Sequence, residues 1–142
     1  MKRAHAKTAD RSPLEVVAGV IFKGRRLLVA SRCGDDPLAG KWEFPGGKIE
    51  IGETPQSCLV RELKEELGID VRPGRLIGTT EHKDSGRTIR LTFCEAFYER
   101  GDMTLTVHDR AEWILPEELR NHDLAPADEG FVDQLLQFIA SR

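Results

Sequence analysis

The sequence predicts an α/β protein in which a mixed β-sheet is sandwiched between helices. Its 142 residues are the size of one ordinary domain with a sizeable core. Apolar, β-branched segments typical of strands occur in both halves of the chain, whereas helical periodicity is confined to one central and one C-terminal segment. Mixed strands with two such helical segments favour a layered architecture around a shared sheet.

The first third of the chain predicts a strand, a turn, a second strand, a loop and a short extended piece. These elements cover residues 14–22, 23–25, 27–31, 33–40 and 42–44, in that order. We expect Pro45, Gly46 and Gly47 to end the extended piece. Glycine at this point lets the backbone come close to a ligand.

The central helix has recognisable start and stop signals. Thr54 followed by Pro55 predicts an N-cap and a proline at the first helical position. An apolar stripe follows at Leu59, Leu63 and Leu67. Gly68 then stands where a left-handed residue commonly ends a helix.

The second half predicts two strands joined by a turn, a further short strand, a short helix and a longer amphipathic helix. These elements cover residues 76–81, 88–98, 112–115, 116–120 and 127–140, with the turn at 83–86. On the last helix the inward residues are expected to be Phe131, Leu135, Phe138 and Ile139.

Composition excludes several classes of function. A net charge of −3 gives no electrostatic basis for stable nucleic acid binding, and no apolar run approaches the roughly 20 residues of a membrane span. Residues 1–12 are polar and lack the apolar core of a signal peptide, so we expect a flexible tail before a single domain at 13–142. Cys33, Cys58 and Cys94 have no paired spacing, which favours reduced thiols in a cytoplasmic protein.

Three carboxylates crowd one stretch of the central helix. At about 100° per residue, Glu62, Glu65 and Glu66 fall close together on one face, and like charges at these spacings destabilise a helix. A divalent cation would offset that repulsion, and hard cations such as Mg²⁺ prefer oxygen ligands and accompany phosphate substrates. A carboxylate that does not bind the metal would accept a proton from water. The alternative is a solvated, Glu-rich and Lys-rich helix face, which is the usual meaning of such runs.

Two neighbours extend this acidic cluster. Arg61 precedes Glu65 by four residues and is expected to pair with it, which would help to orient the carboxylates. Glu53 stands just before the helix, close enough in sequence to join a metal site.

The spacing over residues 47–69 favours the functional interpretation. The segment fits Gly-x5-Glu-x7-Arg-Glu-(apolar)-x-Glu-Glu-x-Gly-(apolar) at every fixed position. With roughly 5–7% usage per residue type, the seven fixed positions match a given window by chance on the order of 10⁻⁸. This pattern is the Nudix box, and the chain resembles the Nudix hydrolases.

The resemblance extends over about residues 15–138. Residues 40–48, Gly-Lys-Trp-Glu-Phe-Pro-Gly-Gly-Lys, and residues 125–128, Ala-Pro-Ala-Asp, resemble the MutT-like nucleoside triphosphate pyrophosphohydrolases, and most of all the bacterial CTP pyrophosphohydrolase branch. The resemblance implies the Nudix α/β/α sandwich, with Mg²⁺ or Mn²⁺ as cofactor. It also implies hydrolysis of a nucleoside triphosphate, of cytidine or of an oxidised or modified deoxynucleotide, to a monophosphate and pyrophosphate.

The resemblance also implies roles for individual residues. The expected catalytic residues are Arg61, Glu62, Glu65 and Glu66. The expected metal-binding residues are Gly46 through its carbonyl, Glu53, Glu62, Glu65, Glu66 and Asp109. The expected substrate-binding residues are Arg32, Phe44, Lys48, Arg87 and Asp128. For the three cations the alternative is an ordinary surface charge, and for Phe44 it is a core residue.

The acidic ligand on the loop before Trp113 is a departure from the family pattern. Direct counting back from Trp113 places Val107 at that position, and valine does not ligate a metal. A small loop deletion would bring in Asp109, which we prefer. Glu112 is a third option, and an ordinary loop residue without a metal remains the alternative for Asp109.

Asp128 matches a position at which an asparagine reads the base in MutT-like proteins. An ionised aspartate only accepts hydrogen bonds, which suits the N4 amine of cytosine. Oxidised guanine remains open, because a buried and protonated Asp128 would also donate. The alternative role for Asp128 is to cap the last helix.

Two other functions remain open from the sequence. One is hydrolysis of ADP-ribose or another nucleoside diphosphate derivative, and the other is a non-catalytic nucleotide-binding module of the same fold. The short chain disfavours the first, and the intact acidic set disfavours the second. The expected partner is a small-molecule nucleotide, with no membrane, and the expected state is a monomer or homodimer.

Overall fold

The computed structural model describes residues 12–32 and 39–142. The predicted tail over residues 1–12 therefore lies outside the described residues, apart from Ser12. Cys33 and most of the loop predicted at 33–40 lie outside them as well.

A mixed sheet of seven strands forms the centre of the described part of the chain. The strands are β1 (Leu14–Lys23), β2 (Arg26–Arg32), β3 (Trp42–Glu43), β4 (Gly46–Lys48), β5 (Asp70–Asp84), β6 (Arg87–Arg100) and β7 (His108–Ile114). The main order is β3-β2-β1-β6-β5, while β4 also pairs with β1 and β7 with β2. The β1–β6 pair is parallel, and the other pairs are antiparallel.

The sheet separates two buried apolar clusters. Along β1, Val17 and Ile21 join one cluster, whereas Ala18, Val20 and Phe22 join the other. This alternation follows from the two-residue period of a strand, which turns successive side chains to opposite faces. Both faces of the sheet are therefore covered, as the predicted sandwich requires.

Helix α1 (Pro55–Leu67) covers the first face. Its Thr54 Oγ1 accepts the Ser57 backbone N–H at 3.0 Å, and Ser57 Oγ accepts the Thr54 N–H at 3.1 Å. Gly68 ends the helix with a φ of 72°, in the left-handed region that favours glycine. The predicted caps are confirmed, and the predicted leucine stripe is buried, which contributes about 1.5–3 kcal/mol for each leucine.

The C-terminal elements cover the second face. They are a 3₁₀ helix (Pro116–Asn121), α2 (Pro126–Glu129) and α3 (Val132–Ala140). The single helix predicted over 127–140 is thus wrong, because the chain turns at Gly130, the residue type with the lowest helix propensity after proline. Phe131 is fully buried between the two helices and stacks on Phe93 with ring centroids 3.8 Å apart. In the described ranges we find no helix long and apolar enough to span a bilayer.

Residues 45–47 also differ from the prediction. Instead of only ending an extended piece, Gly46 and Gly47 begin β4 and pair with Ala18 and Val17 of β1. The strands approach so closely that a Cβ on Gly46 would collide with the Val17 carbonyl. In the sequence, glycine at these positions suggested that the extended piece ends. In the structure, the missing side chains are what allow β4 to pair with β1.

Candidate active site

A cavity of about 140 Å³ opens beside β1, β3 and β4. Its polar and backbone walls are formed by Arg32, Glu43, Phe44, Gly46, Gly47 and Asp128, and the remaining walls are apolar residues of β1 and β6. Four of the predicted site residues, Arg32, Phe44, Gly46 and Asp128, therefore lie around one cavity.

Asp128 forms the buried end of the cavity. It is only 5% exposed, and its Oδ1 accepts the backbone N–H of Phe44 at 3.2 Å. The pKa of Asp128 is raised from its ordinary 3.8 to about 8, mainly by burial; the Phe44 N–H opposes the rise and the Glu43 charge adds to it. Asp128 is therefore hydrogen-bonded to the residue that follows β3, at the wall of the cavity. It also lies in the first turn of α2, so its role stays a prediction.

Strand β3 holds Asp128 in place through its backbone. The Trp42 N–H donates to the Asp123 carbonyl at 2.8 Å, and the Ala125 N–H donates to the Trp42 carbonyl at 2.8 Å. The segment that leads into α2 is thus fastened to β3 immediately before Asp128. The same short strand also carries Glu43, which lines the cavity.

Glu62 and Glu66 of α1 lie beside the glycine wall of the cavity. A Cβ on Gly47 would collide with the Glu62 carboxylate, so only glycine lets β4 and this side chain approach so closely. Burial and the hydrogen-bonded, negatively charged Glu62 raise the pKa of Glu66 well above its ordinary value, although Arg32 opposes this shift. The two carboxylates therefore share a confined space, as the helical spacing predicted.

Arg61 binds the other carboxylates of the cluster. Its guanidinium contacts Glu53 at 2.6 and 2.9 Å, Glu62 at 3.3 Å and Glu65 at 3.1 Å. The Arg61 hydrogen bonds hold the pKa of Glu53 at about 2, well below its ordinary 4.5. Glu65 is 60% exposed at its side chain, and the Arg61 nitrogen that it contacts also contacts Glu62.

The donor set suits a hard divalent cation. Within residues 12–32 and 39–142, no three His, Cys, Asp or Glu side chains meet around one point as a finished metal site. Even so, Glu62 and Glu66 present carboxylate oxygens side by side on one rigid helix, and such oxygens are the ligands that Mg²⁺ prefers. A cation between them would relieve the repulsion that now raises the Glu66 pKa, so these residues fit a divalent ion.

The second charged group at the cavity links Arg32, Glu43 and His108. Arg32 Nε lies 3.1 Å from Glu43 Oε2, and His108 Nε2 lies 2.8 Å from the same oxygen. The His108 side chain is fully buried. Arg32 thus stands at the cavity wall, held by a carboxylate that a buried histidine also holds.

Other predicted residues lie away from the cavity wall. Lys48 is exposed at the end of β4, where its carbonyl accepts from Arg61. Arg87 is exposed at the start of β6, four residues or roughly 13 Å along the strand from Leu91, which lines the cavity.

Asp109 is exposed and lies 3.9 Å from Arg110, while Glu112 lies 3.4 Å from His122. The structure does not bring Lys48, Arg87 or Asp109 together with Asp128 at the cavity, so their roles stay predictions.

Glu43 and His108 were missed in the sequence. The signal for Glu43 was available, since an acidic residue between Trp42 and Phe44 in an extended piece must face away from those two aromatic side chains. His108 gave no such signal, because only the pairing of β7 with β2 places it opposite Arg32.

Comparison with known proteins identifies the family. The model of the NUDIX domain matches residues 13–135. The CTP pyrophosphohydrolase of Escherichia coli K12 is 36% identical over 129 residues, which cover 91% of this chain and 96% of that protein. The 8-oxo-dGTP diphosphatase of the same organism is 34% identical over 86% of this chain and 95% of its own length.

A solved structure agrees with this result. The solution structure of the E. coli ORF135 protein superposes with a TM-score of 0.81 at 34% identity, covering 94% of this chain and 96% of that one. The chain belongs to the NUDIX family of hydrolases, which act on phosphorus anhydrides.

Proposed function

We propose that this protein hydrolyses a nucleoside or deoxynucleoside triphosphate to the monophosphate and pyrophosphate, and so removes unwanted nucleotides from the pool. The preferred substrates are cytidine nucleotides or oxidised or modified deoxynucleotides. The cavity supports this proposal, because a buried carboxyl group, Asp128, and a cation, Arg32, line it, and Arg32 lies close enough to Glu66 to lower its pKa. The relatives named for CTP and for 8-oxo-dGTP agree with it.

Different residues at the cavity suit different parts of such a substrate. The base lies beside Phe44 and Asp128, where the carboxyl group exchanges hydrogen bonds with the edge of the base. The phosphates lie toward Arg32, whose planar guanidinium suits phosphate oxygens. Glu62 and Glu66 would hold Mg²⁺ or Mn²⁺, and the cation would neutralise charge on the phosphates.

The chain's own residues then perform the proton transfer. The oxygen of a water forms a new bond to a phosphorus of the triphosphate while the bond to the bridging oxygen breaks, and pyrophosphate leaves with those electrons. A carboxylate of the acidic cluster accepts the proton from the water. Arg61 fixes the positions of Glu53, Glu62 and Glu65 through its four contacts with them.

A substrate panel tests the proposal. The purified protein is incubated with Mg²⁺ and, separately, CTP, dCTP, 5-methyl-dCTP, 8-oxo-dGTP and ADP-ribose, and the products are separated by ion-exchange chromatography. We expect monophosphate and pyrophosphate from at least one triphosphate. Turnover of ADP-ribose alone would overturn the substrate assignment, and the absence of any turnover would overturn the proposed function.

A further inference from the structure

The Arg32–Glu43–His108 group has a role that the acidic helix does not supply. Glu43 projects from β3 on the face opposite Trp42 and Phe44, and its carboxylate is 16% exposed at the cavity wall. Its Oε2 contacts Arg32 Nε at 3.1 Å and His108 Nε2 at 2.8 Å. Glu43 is thus bound from two sides, by residues of β2 and of β7.

The fold brings these three side chains together from three strands. Arg32 at the end of β2 pairs with His108 of β7, beside a shift in register after Ser31. Glu43 of β3 pairs with Ala30 on the other side of β2. Because β2 lies between the other two strands, Glu43 and His108 meet at the end of β2, beside Arg32.

A buried histidine at position 108 would lower the stability of the fold if its role were purely structural. Its side chain is fully buried, and in the part of the chain that the structure describes its Nδ1 has no hydrogen-bond partner. A buried polar atom without a partner lowers the stability of the fold, whereas a leucine of similar volume would avoid that cost. The group that offsets this cost is Nε2, through its bond to Glu43.

We propose that His108 is a positioning residue for the substrate phosphates. Its Nε2–H donates to Glu43, which holds the carboxylate against Arg32 Nε and thereby fixes Arg32 at the cavity wall. This inference rests on the proposed function, since it assigns Arg32 to the phosphates. His108 acts through Glu43 and touches no substrate.

Two substitutions of His108 test whether its Nε2 hydrogen-bond donor is the group that positions Arg32. His108→Gln keeps an N–H donor at about the reach of Nε2, whereas His108→Leu fills the same space without a donor. Loss of a charge-assisted hydrogen bond corresponds to a change of about tenfold or more in an equilibrium constant. We therefore expect His108→Leu to lower kcat/KM for the triphosphate about tenfold or more, mainly by raising KM. His108→Gln should stay within about threefold of the unsubstituted protein.

Combination with Arg32→Ala tests whether the effect passes through Arg32. If His108 acts by positioning Arg32, adding His108→Leu to Arg32→Ala should produce no further loss. A multiplicative loss in the double variant, or an equal loss in the Gln and Leu variants, would overturn the proposal.

The matched control is His122→Leu, which removes a half-buried histidine that contacts Glu112 and Glu118 instead. Its kcat/KM should stay within about twofold.

A spectroscopic measurement decides the question without relying on a folded Leu variant. In ¹⁵N-labelled protein, long-range histidine spectra should show a proton on His108 Nε2, and the Arg32 Nε–H should give a protected resonance that persists in His108→Gln. A His108 protonated only on Nδ1 would overturn the proposal. Because these signals need no turnover, they separate failure of this inference from failure of the proposed function.

Discussion

The pKa values of individual acidic residues in this protein depend on their burial and on their charged neighbours. Asp128 and Glu66 are both acids with raised pKa values, and for both the largest cause is desolvation. Glu53 is partly buried, with its side chain 19% exposed, and its pKa is lowered because Arg61 donates to it. Residues of similar chemistry thus differ in protonation because one tertiary structure gives them different surroundings.

Replacement of Glu66 by Gln removes one carboxylate of the confined pair. We expect turnover of the triphosphate to fall at least about 100-fold, since general base or metal-ligand roles contribute roughly 10²–10⁴-fold. Stability should stay equal or rise, because the Glu62 repulsion is relieved. The measurements are steady-state kinetics and thermal unfolding. Loss of metal-dependent nucleotide binding without any turnover in the unsubstituted protein would indicate a non-catalytic module instead.

Replacement of Asp128 by Asn should change stability in a pH-dependent way. The folded-state pKa of about 8 exceeds the ordinary 3.8, so between these values the folded state holds a proton that the unfolded state has lost. The stability that this carboxyl group contributes is fully present below about pH 4 and is lost as the pH rises through 8.

The amide introduced by this substitution does not titrate, so Asp128→Asn should gain stability relative to the unsubstituted protein as pH rises. The gain between pH 5 and pH 8 should be at least about 1.4 kcal/mol, the equivalent of one pKa unit. Urea denaturation at the two pH values measures it. A difference between the two proteins that is the same at both pH values would contradict a buried, protonated Asp128.

At the scale of elements, the site depends on how closely β4 approaches α1. The helix carries the carboxylates, but Gly47 of β4 sets the space available to Glu62. The β4 pairing with β1 in turn fixes the position of Gly47 relative to the sheet. The function of the acidic helix therefore depends on a strand of three residues that lacks side chains at two of them.

Gly47→Ala tests this dependence. The new Cβ would collide with the Glu62 carboxylate, which would have to move from its present position. We expect turnover to fall about tenfold or more while the fold is retained at a cost of about 1–3 kcal/mol. Kinetics and urea unfolding of the variant provide the measurement.

The control is Gly52→Ala, where a Cβ meets open space in the neighbouring loop, so only backbone strain at its φ of 89° is introduced. Equal loss of turnover in both variants would argue against the Glu62 contact.

At the scale of the whole molecule, one sheet is stabilised from both faces. Ile69 belongs to the cluster under α1, and Ile114 belongs to the cluster under the C-terminal helices. Because side chains on opposite faces of a sheet do not share partners, their contributions to stability should be independent. The cavity lies beside β1, β3 and β4, and Asp128 of α2 also lines it.

Ile69→Val and Ile114→Val should each lower the free energy of unfolding by about 0.5–1.5 kcal/mol. The double variant should lose the sum of the two values to within about 0.5 kcal/mol. Its urea denaturation should remain one transition with an unchanged slope, because the shared sheet unfolds as a unit. Two separate transitions would show that the faces unfold independently.

The sequence by itself determined the features that contiguous residues encode. The Thr54 cap, the leucine stripe, the Gly68 stop and the Glu62–Glu66 pair depend only on spacing along one helix, and the structure contains all of them. The layered fold was equally predictable, since strand and helix periods are local properties. The strand at Gly46 was not predictable, because pairing with β1 overrides local preference. The break at Gly130 had a local signal in the low helix propensity of glycine, which the amphipathic pattern of the segment outweighed in the prediction.

The cavity and its charged contacts could be identified only from the tertiary structure. The Phe44–Asp128 hydrogen bond joins residues 84 positions apart, and the Glu43–His108 contact joins residues 65 apart. Such contacts depend on strand order and register, which place distant segments side by side without any local signal. The sequence therefore identified the acidic helix and its chemistry, whereas the folded sheet determined which residues accompany it around the substrate.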